Sequence, residues 1–549
     1  MTAGLAIPPE HQLRPMLHAY ASAVAAKRRV LVVGAAILLG ALVLAGWGAE
    51  VRPGMFWAQI GGFGSYWARL ARLDTGATVW TDVPYWFWGL HRWSLQLGQT
   101  LMIAFVSTVA GAAIALFGGL LASRNLVHST ALRFTVVRLL EFGRSVPDLV
   151  FALIFVFAFG LGPLPGVLAI MLHTAGTLGK QFAEINETID MRPVDGVRAA
   201  GGSWWAQVRF AVLPSVLPDM LSYVLLRFEI NVRGATVIGF VGAGGIGQEL
   251  LTAIRKFYYS DVSAMLLMLL MCVIAIDAVS SRLRRQLVTQ EAPGHPAMRP
   301  ALLAVGAALF VMSLVLLDIS PVRIWQGLGQ LGTVVRMMLP PSTGGHLATY
   351  TEALGQTLAI ALLGTVAAAV LAMPFGFLAA RNVVANRIVH VLARRSLDTV
   401  RSVDVLIWAL IWVGVVGLGP FAGALAIACA DFGALAKLMS ETIEGTPPMA
   451  ADGVRASGGS RLQVLRYGVL PQVLPVFASQ LLYFFESNTR SATVIGIVGA
   501  GGIGLHLVEQ IRVMEWDQVS FLILMVLVTV GVIDAGSRRL RLAIVGRAA

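Results

Sequence analysis

Charge and cysteine are scarce in this sequence. Of its 549 residues only 13% are charged against 57% hydrophobic, and the mean hydropathy is +0.77. A soluble chain of this length cannot cover its surface with so little charge, which leaves lipid as the expected solvent. The two cysteines, Cys272 and Cys429, both fall inside apolar runs. They read as small hydrophobes, and they exclude a disulfide framework and a thiolate metal site. Acidic residues are the scarcer sign, 29 against 41 Lys and Arg, giving a net charge of +12. That excess forms no single basic face, so no nucleic-acid partner follows from it. It sits beside apolar runs: Lys27, Arg28 and Arg29 before the first, Arg282, Arg284 and Arg285 midway, and Arg538, Arg539 and Arg541 near the end. By the positive-inside rule those ends, and with them both termini, are expected to be cytoplasmic. No small-residue cleavage site follows the first apolar run, so it is expected to be a retained span.

What is present is a duplication. Asp195 aligns with Asp452, Gly239 with Gly496 and Asp277 with Asp534, each pair 257 residues apart, and no gap is needed from Gln99/Gln356 onward. Arg124-Asn125 recurs as Arg381-Asn382, Arg144-Ser145 as Arg401-Ser402, and Gly160-Leu-Gly-Pro163 as Gly417-Leu-Gly-Pro420. Crossing a bilayer takes about 20 apolar residues as a helix. On that measure each half reads as about six spans: 30–48, 99–122, 146–160, 166–188, 215–238 and 258–281, then 300–317, 356–379, 403–417, 423–445, 472–495 and 516–536. An even number returns the chain to its starting side, so the halves form two parallel tandem repeats. The expected division is a first repeat over 1–290, a cytoplasmic linker over 291–300, rich in proline, and a second repeat over 301–549.

One region escapes the duplication. Between the first two spans lie Phe56, Trp57, Tyr66, Trp67, Trp80, Tyr85, Trp86, Phe87, Trp88 and Trp93, while the matching stretch keeps little more than Trp325 and Tyr350. The topology puts this segment outside. It reads as an aromatic belt at the lipid interface or as a docking surface for an external partner.

After the fourth span of each half comes a polar segment: Asp195-Gly196-Val-Arg198-Ala-Ala-Gly201-Gly-Ser, repeated as Asp452-Gly453-Val-Arg455-Ala-Ser-Gly458-Gly-Ser. Each runs on to Leu-Pro, at Leu213-Pro214 and Leu470-Pro471. The glycine is expected to end a short helix and the proline to start the next, making a helix-turn-helix on the cytoplasmic side. This pattern resembles the ABC importer permeases, whose signature is Glu-Ala-Ala, three residues, Gly, nine residues, Ile, one residue, Leu-Pro. The departures are Asp for Glu, Gly-Val for Ala-Ala, and Ala211 or Gly468 for Ile. The resemblance implies an all-α integral membrane protein of the type I ABC importer permease fold, with each loop acting as a coupling helix. Two such loops imply two copies of a cytoplasmic ABC ATPase; ATP and magnesium belong to those subunits, and no cofactor belongs to this chain. Arg144-Ser-Val-Pro147, Gly179-Lys180-Gln-Phe-Ala-Glu184 and Glu229-Ile-Asn231-Val-Arg233, with the glycine-rich run that follows, look like the permease of phosphonate importers. That narrower resemblance implies a bacterial inner membrane and a periplasmic or lipid-anchored binding protein. The implied cargo is phosphonate, phosphite or phosphate, with methionine-type and other small-solute permeases as alternatives that share the loop. A secondary transporter would need no ATPase, and the duplicated loop speaks against it.

Gly242-Ala-Gly244-Gly245-Ile-Gly247, repeated as Gly499-Ala-Gly501-Gly502-Ile-Gly504, formally matches a dinucleotide fingerprint. No alternating strand and helix pattern surrounds it. A glycine-rich bend between the fifth and sixth spans, where backbones approach closely, fits better. A phosphate-cradling loop is also missing, since Gly176-Thr-Leu-Gly179-Lys180 has neither the spacing nor the Ser/Thr. Glu229 and Arg233, with Glu486 and Arg490, are ionisable residues in apolar helices, four apart and so on one face. They read as structural ion pairs or as pathway residues that meet an anion, and Asn231 and Asn488 lie between them. Lys180 and Glu184, with Lys437 and Glu441, read as structural pairs. The halves differ where His173-Thr174 becomes Ala430-Asp431 and Pro147 becomes Asp404. If these positions face a common pathway, contact with an anionic cargo is expected to be asymmetric.

Overall fold

The computed structural model describes residues 10–51, 53–288, 298–384 and 386–545. Most of the linker expected at 291–300 therefore lies outside the described residues. The first half folds as α1 (Glu10–Gly48), α2 (Pro53–Leu70), α3 (Leu90–Ala122), α4 (Thr130–Ser145) and α5 (Asp148–Phe159). It continues with α6 (Pro163–Glu187), α7 (Arg192–Ala199), α8 (Trp204–Val241), α9 (Ile246–Arg255) and α10 (Tyr259–Val288). The second half repeats the series as α11 (Met298–Leu316), α12 (Pro321–Met337), α13 (Leu347–Ala379), α14 (Arg387–Ser402) and α15 (Val405–Val416). Then come α16 (Pro420–Glu444), α17 (Met449–Ala456), α18 (Arg461–Gly496), α19 (Ile503–Arg512) and α20 (Trp516–Val545). Among the described residues the only β pairing is an isolated bridge between Arg72 and Thr78.

Among the described residues, seven helices are long and apolar enough to cross a bilayer unaided: α3, α8, α10, α13, α16, α18 and α20. Three more candidates are bent pairs, α4 with α5 at 90°, α11 with α12 at 64° and α14 with α15 at 86°. The spans expected at 146–160 and 403–417 are therefore only the apolar limbs of broken ones. Twelve residues of helix rise about 18 Å, well short of the ~30 Å hydrocarbon core. The other limb, α4 or α14, is amphipathic and charged, and hydropathy alone does not reveal it. The α1 run expected at 30–48 and the fourth span are helical too. The latter, α6, carries His173, Lys180 and Glu184 in an otherwise apolar stretch.

Small residues let the core helices touch. A Cβ on Gly111 of α3 would come within 2.9 Å of the Met171 carbonyl on α6, and one on Gly176 of α6 within 2.6 Å of the Leu140 carbonyl on α4. In the second half Gly433 holds the place of Gly176 and Ala368 that of Gly111, while Gly364, one turn earlier, packs against Ile427. The peripheral helices cross over. α1 packs on α13 through Ala45, Ala49 and Ala359, and α2 packs on α15, with Phe63 stacked on Trp412 at 4.9 Å. Reciprocally, α11 packs on α3 and α12 on α5, where Gly327 sits under the Phe159 ring.

The aromatic segment is partly a folded cap. Tyr66, Trp86 and Trp93 are buried; the Trp86 indole donates to the Ser260 carbonyl (3.2 Å) and Ser263 Oγ (2.9 Å), and the Trp88 indole donates to Asp261 (2.9 Å). Trp57 and Trp80 remain largely exposed.

Candidate functional site

The two polar loops fold alike. α7 carries Asp195 in its first turn and Arg198 in its last, 3.3 Å apart and both exposed; Asp452 and Arg455 of α17 stand 2.7 Å apart. Each helix ends on a residue with left-handed backbone, Gly201 at φ +78° and Gly458 at φ +81°. Their N–H groups donate to the carbonyls of Arg198 and Arg455, and those of Gly202 and Gly459 to the carbonyls of Val197 and Val454. Other residues pay a steric penalty in that region, so glycine is favoured there. Gly196 and Gly453 face open space. Asp190 caps the first loop by accepting from the Arg192 backbone (3.0 Å) and side chain (2.8 Å), which holds its carboxyl below the usual range.

The helix after each loop does not begin at the proline. α8 starts at Trp204, capped by Ser203, and α18 at Arg461, capped by Ser460 in a capping box with Gln463. Both run through a π turn, at Val208–Val212 and Val464–Val469, before reaching Leu213-Pro214 and Leu470-Pro471. There the Leu213 N–H donates to the Val208 carbonyl and that of Leu470 to Leu465, one residue further back than in an α-helix. The looser turn carries the chain past prolines that lack an N–H.

At the other end of α8 the glycine run is a tight bend. Gly242, Gly244 and Gly245, like Gly499, Gly501 and Gly502, are left-handed. Any side chain at Gly247 or Gly504 would place its Cβ 1.8 Å from the carbonyl of Thr236 or Thr493. The Gly245 and Ile246 N–H groups donate to Gln99 Oε1 (2.9 Å) and Thr100 Oγ1 (3.0 Å), and Gly502 and Ile503 donate to Gln356 and Thr357 in the same way. The Gly162 N–H donates to the Gly242 carbonyl, and that of Gly419 to Gly499, tying the bend to the start of α6 or α16. The N–H groups a pyrophosphate would need at the start of α9 are already taken, and no strand precedes them among the described residues. This rules out dinucleotide binding there.

Between the repeats lies a polar centre. Asn231 Nδ2 donates to Thr108 Oγ1 (2.8 Å) and Thr174 Oγ1 (2.9 Å), joining α3, α6 and α8; Asn488 makes the same junction to Thr365 and Asp431. The two asparagines are buried, as is Thr174. His173 Nδ1 faces the Val146 carbonyl at 3.3 Å. Glu229 does not pair with Arg233 but with Arg284 of α10, at 2.7 Å. Arg233 instead donates across the repeat boundary to the Arg401 carbonyl (3.3 Å) and lines a groove of about 290 Å³ between α8, α10 and α14. In the second half Glu486 does pair with Arg490 (3.5 Å), and also with Arg541 (3.5 Å). Lys180 and Glu184 meet at 4.0 Å, but Lys437 reaches Asp398 and Glu441 reaches Arg394. α14 offers Arg394 where α4 has Val137, which redirects the second pair. Sequence reasoning missed Arg227, whose Nε donates to Thr174 Oγ1 at 3.4 Å, and Asp148 beside it. The signal was available: Arg227 is a further arginine in the apolar helix that carries Glu229 and Arg233, and it is matched by Phe484.

Duplicated exposed loops beneath broken, closely packed apolar helices, with a polar centre between two repeats, define a membrane transport permease. The chain belongs to the family of binding-protein-dependent transport system inner membrane components, whose pattern matches residues 99–290 and 372–544. It is a multi-pass transport component, not an enzyme. The phosphate-import permease of Mycolicibacterium smegmatis is 35% identical over 439 residues, 79% of this chain and 82% of that protein. A phosphite transport system permease of Stutzerimonas stutzeri is 42% identical, over 37% of this chain and 74% of its own length. A putative cryptic phosphonate transport system permease of Escherichia coli K12 is 50% identical, over 20% of this chain and 89% of its own.

Proposed function

We propose that this chain is the whole transmembrane part of a bacterial inner-membrane importer for phosphonate, phosphite or phosphate. The observation that carries the cargo class is the 35% identity running through both repeats to a phosphate-import permease; the phosphite and phosphonate permeases matched over shorter stretches support it. Repeats 1–290 and 301–549 supply the two halves, and both termini lie in the cytoplasm. The loops around Asp195 and Arg198 and around Asp452 and Arg455 each seat one copy of an ATPase that binds ATP and magnesium. A binding protein delivers cargo from the other side. The polar centre around Asn231, Arg233, Asn488, Arg490, His173 and Thr174 lines the route, and the two glycine bends form its outer constriction. Loss of the gene, in a host stripped of its other phosphorus importers, is expected to abolish growth on at least one of 2-aminoethylphosphonate, phosphite and phosphate as sole phosphorus source. Normal growth on all three overturns the assignment.

A further inference from the structure

An arginine inside an apolar helix is costly unless a partner or a polar cavity compensates it. Arg233, Arg284 and Arg490 all have oxygen partners within 3.5 Å. Arg227 has one hydrogen bond, from Nε to a neutral hydroxyl, and no carboxylate within ion-pair distance among the described residues. Asp148 is its acidic neighbour at longer range, which leaves both terminal nitrogens of the guanidinium without a partner. The hydroxyl it touches is itself poised. Thr174 Oγ1 accepts from Asn231 and from Arg227, and its own proton has no acceptor among the described residues. Thr108, by contrast, donates to the Ala104 carbonyl. His173, next in the chain, has Arg227, Arg144 and, from the other repeat, Arg490 as electrostatic neighbours. Nε of Arg144 is buried and without a partner. At the matching positions of the second repeat stand Phe484 and Asp431, and the Asp431 carboxylate is occupied by Asn488.

We infer that Arg227 and Thr174 form a one-sided oxyanion contact on the transport route: two free guanidinium donors and one hydroxyl proton, all supplied by the first repeat. A phosphorus oxyanion with two or three terminal oxygens fits a planar donor fork of this kind, and Arg is the side chain suited to hold it. Asp148 then serves as the resting counter-ion. The inference rests on the cargo class proposed above and names the residues that meet it.

The test is uptake of inorganic phosphate and of 2-aminoethylphosphonate by the full transporter, with its ATPase and binding protein, in proteoliposomes. Arg227→Gln is expected to lower uptake about tenfold or more, and Arg227→Lys to fall between the two, because an ammonium keeps the charge and loses the fork. The double variant Asp148→Asn with Arg227→Gln separates contact from mere charge balance. If Arg227 only neutralises Asp148, removing both charges restores uptake; if it holds the anion, the defect persists. The double variant also stands in for the single one should that fail to fold. Wild-type uptake in either variant overturns the inference. A wild-type transporter that moves neither probe, nor phosphite added as a third, overturns the proposed cargo itself, and the inference with it.

Discussion

Gly201 and Gly458 show how much can hang on one missing Cβ. Both have left-handed backbone, at φ +78° and +81°, and both close the short helix that presents an exposed Asp and Arg. Replacing each by valine is expected to cost about 1–3 kcal/mol of local strain. That is enough to reshape an exposed loop and too little to unfold the membrane core. The double variant should insert normally yet lose binding-protein-stimulated ATP hydrolysis in proteoliposomes; full stimulation would show that the loops do not couple. These glycines were readable from the sequence, because spacing and duplication agree at them. The partners of Glu229 and Lys437 were not. A spacing of four residues says that two side chains share a face, but whether Arg284 or Asp398 lies closer depends on a neighbouring helix.

At the scale of elements, α8 and α18 are the parts that do most to shape each repeat. Each leaves a short polar loop, passes two prolines with the help of a π turn, and ends in a bend where three glycines are left-handed. Gly247 tests the bend. A Cβ there would lie 1.8 Å from the Thr236 carbonyl, an overlap that only a backbone shift can relieve. Gly247→Ala is expected to destabilise the protein by at least about 1–3 kcal/mol, seen as a lower unfolding temperature in detergent. Gly196→Ala, inside a helix and facing open space, is expected to leave stability unchanged or raise it by up to about 1 kcal/mol. Equal shifts for both would mean the bend is looser than described. The apolar spans could be read from hydropathy alone. Helices α2, α4, α12 and α14 could not, because they are short, amphipathic or aromatic, and their helicity is settled by what they pack against.

For the whole molecule, the notable fact is the exchange of peripheral helices between repeats. α1 and α2 cover the core of the second half, and α11 and α12 cover that of the first. Gly48 and Ala359 meet across this boundary, with a Cβ on Gly48 placed 3.6 Å from that of Ala359, close to the spacing a disulfide needs. In a chain whose Cys272 and Cys429 are replaced by alanine and whose linker carries a protease site, Gly48→Cys with Ala359→Cys is expected to keep the cleaved halves joined under oxidation. Reduction should part them on a denaturing gel. Halves that separate without reductant would rule out the exchange.

The sequence by itself determined the solvent, the duplication, the parallel orientation of the repeats, the two loops and the glycine bends. Each of these is written in local composition or in a fixed spacing, and the 257-residue register repeats it. Only the tertiary structure decided which helices break, which repeat each peripheral helix covers, and which charges remain without a partner. Those depend on distances between segments far apart in the chain. Arg227 is the clearest case. In the sequence it is one arginine among several; in the fold its terminal nitrogens have no partner among the described residues, because Thr174 on another helix takes only Nε and Asp148 stands beyond ion-pair distance.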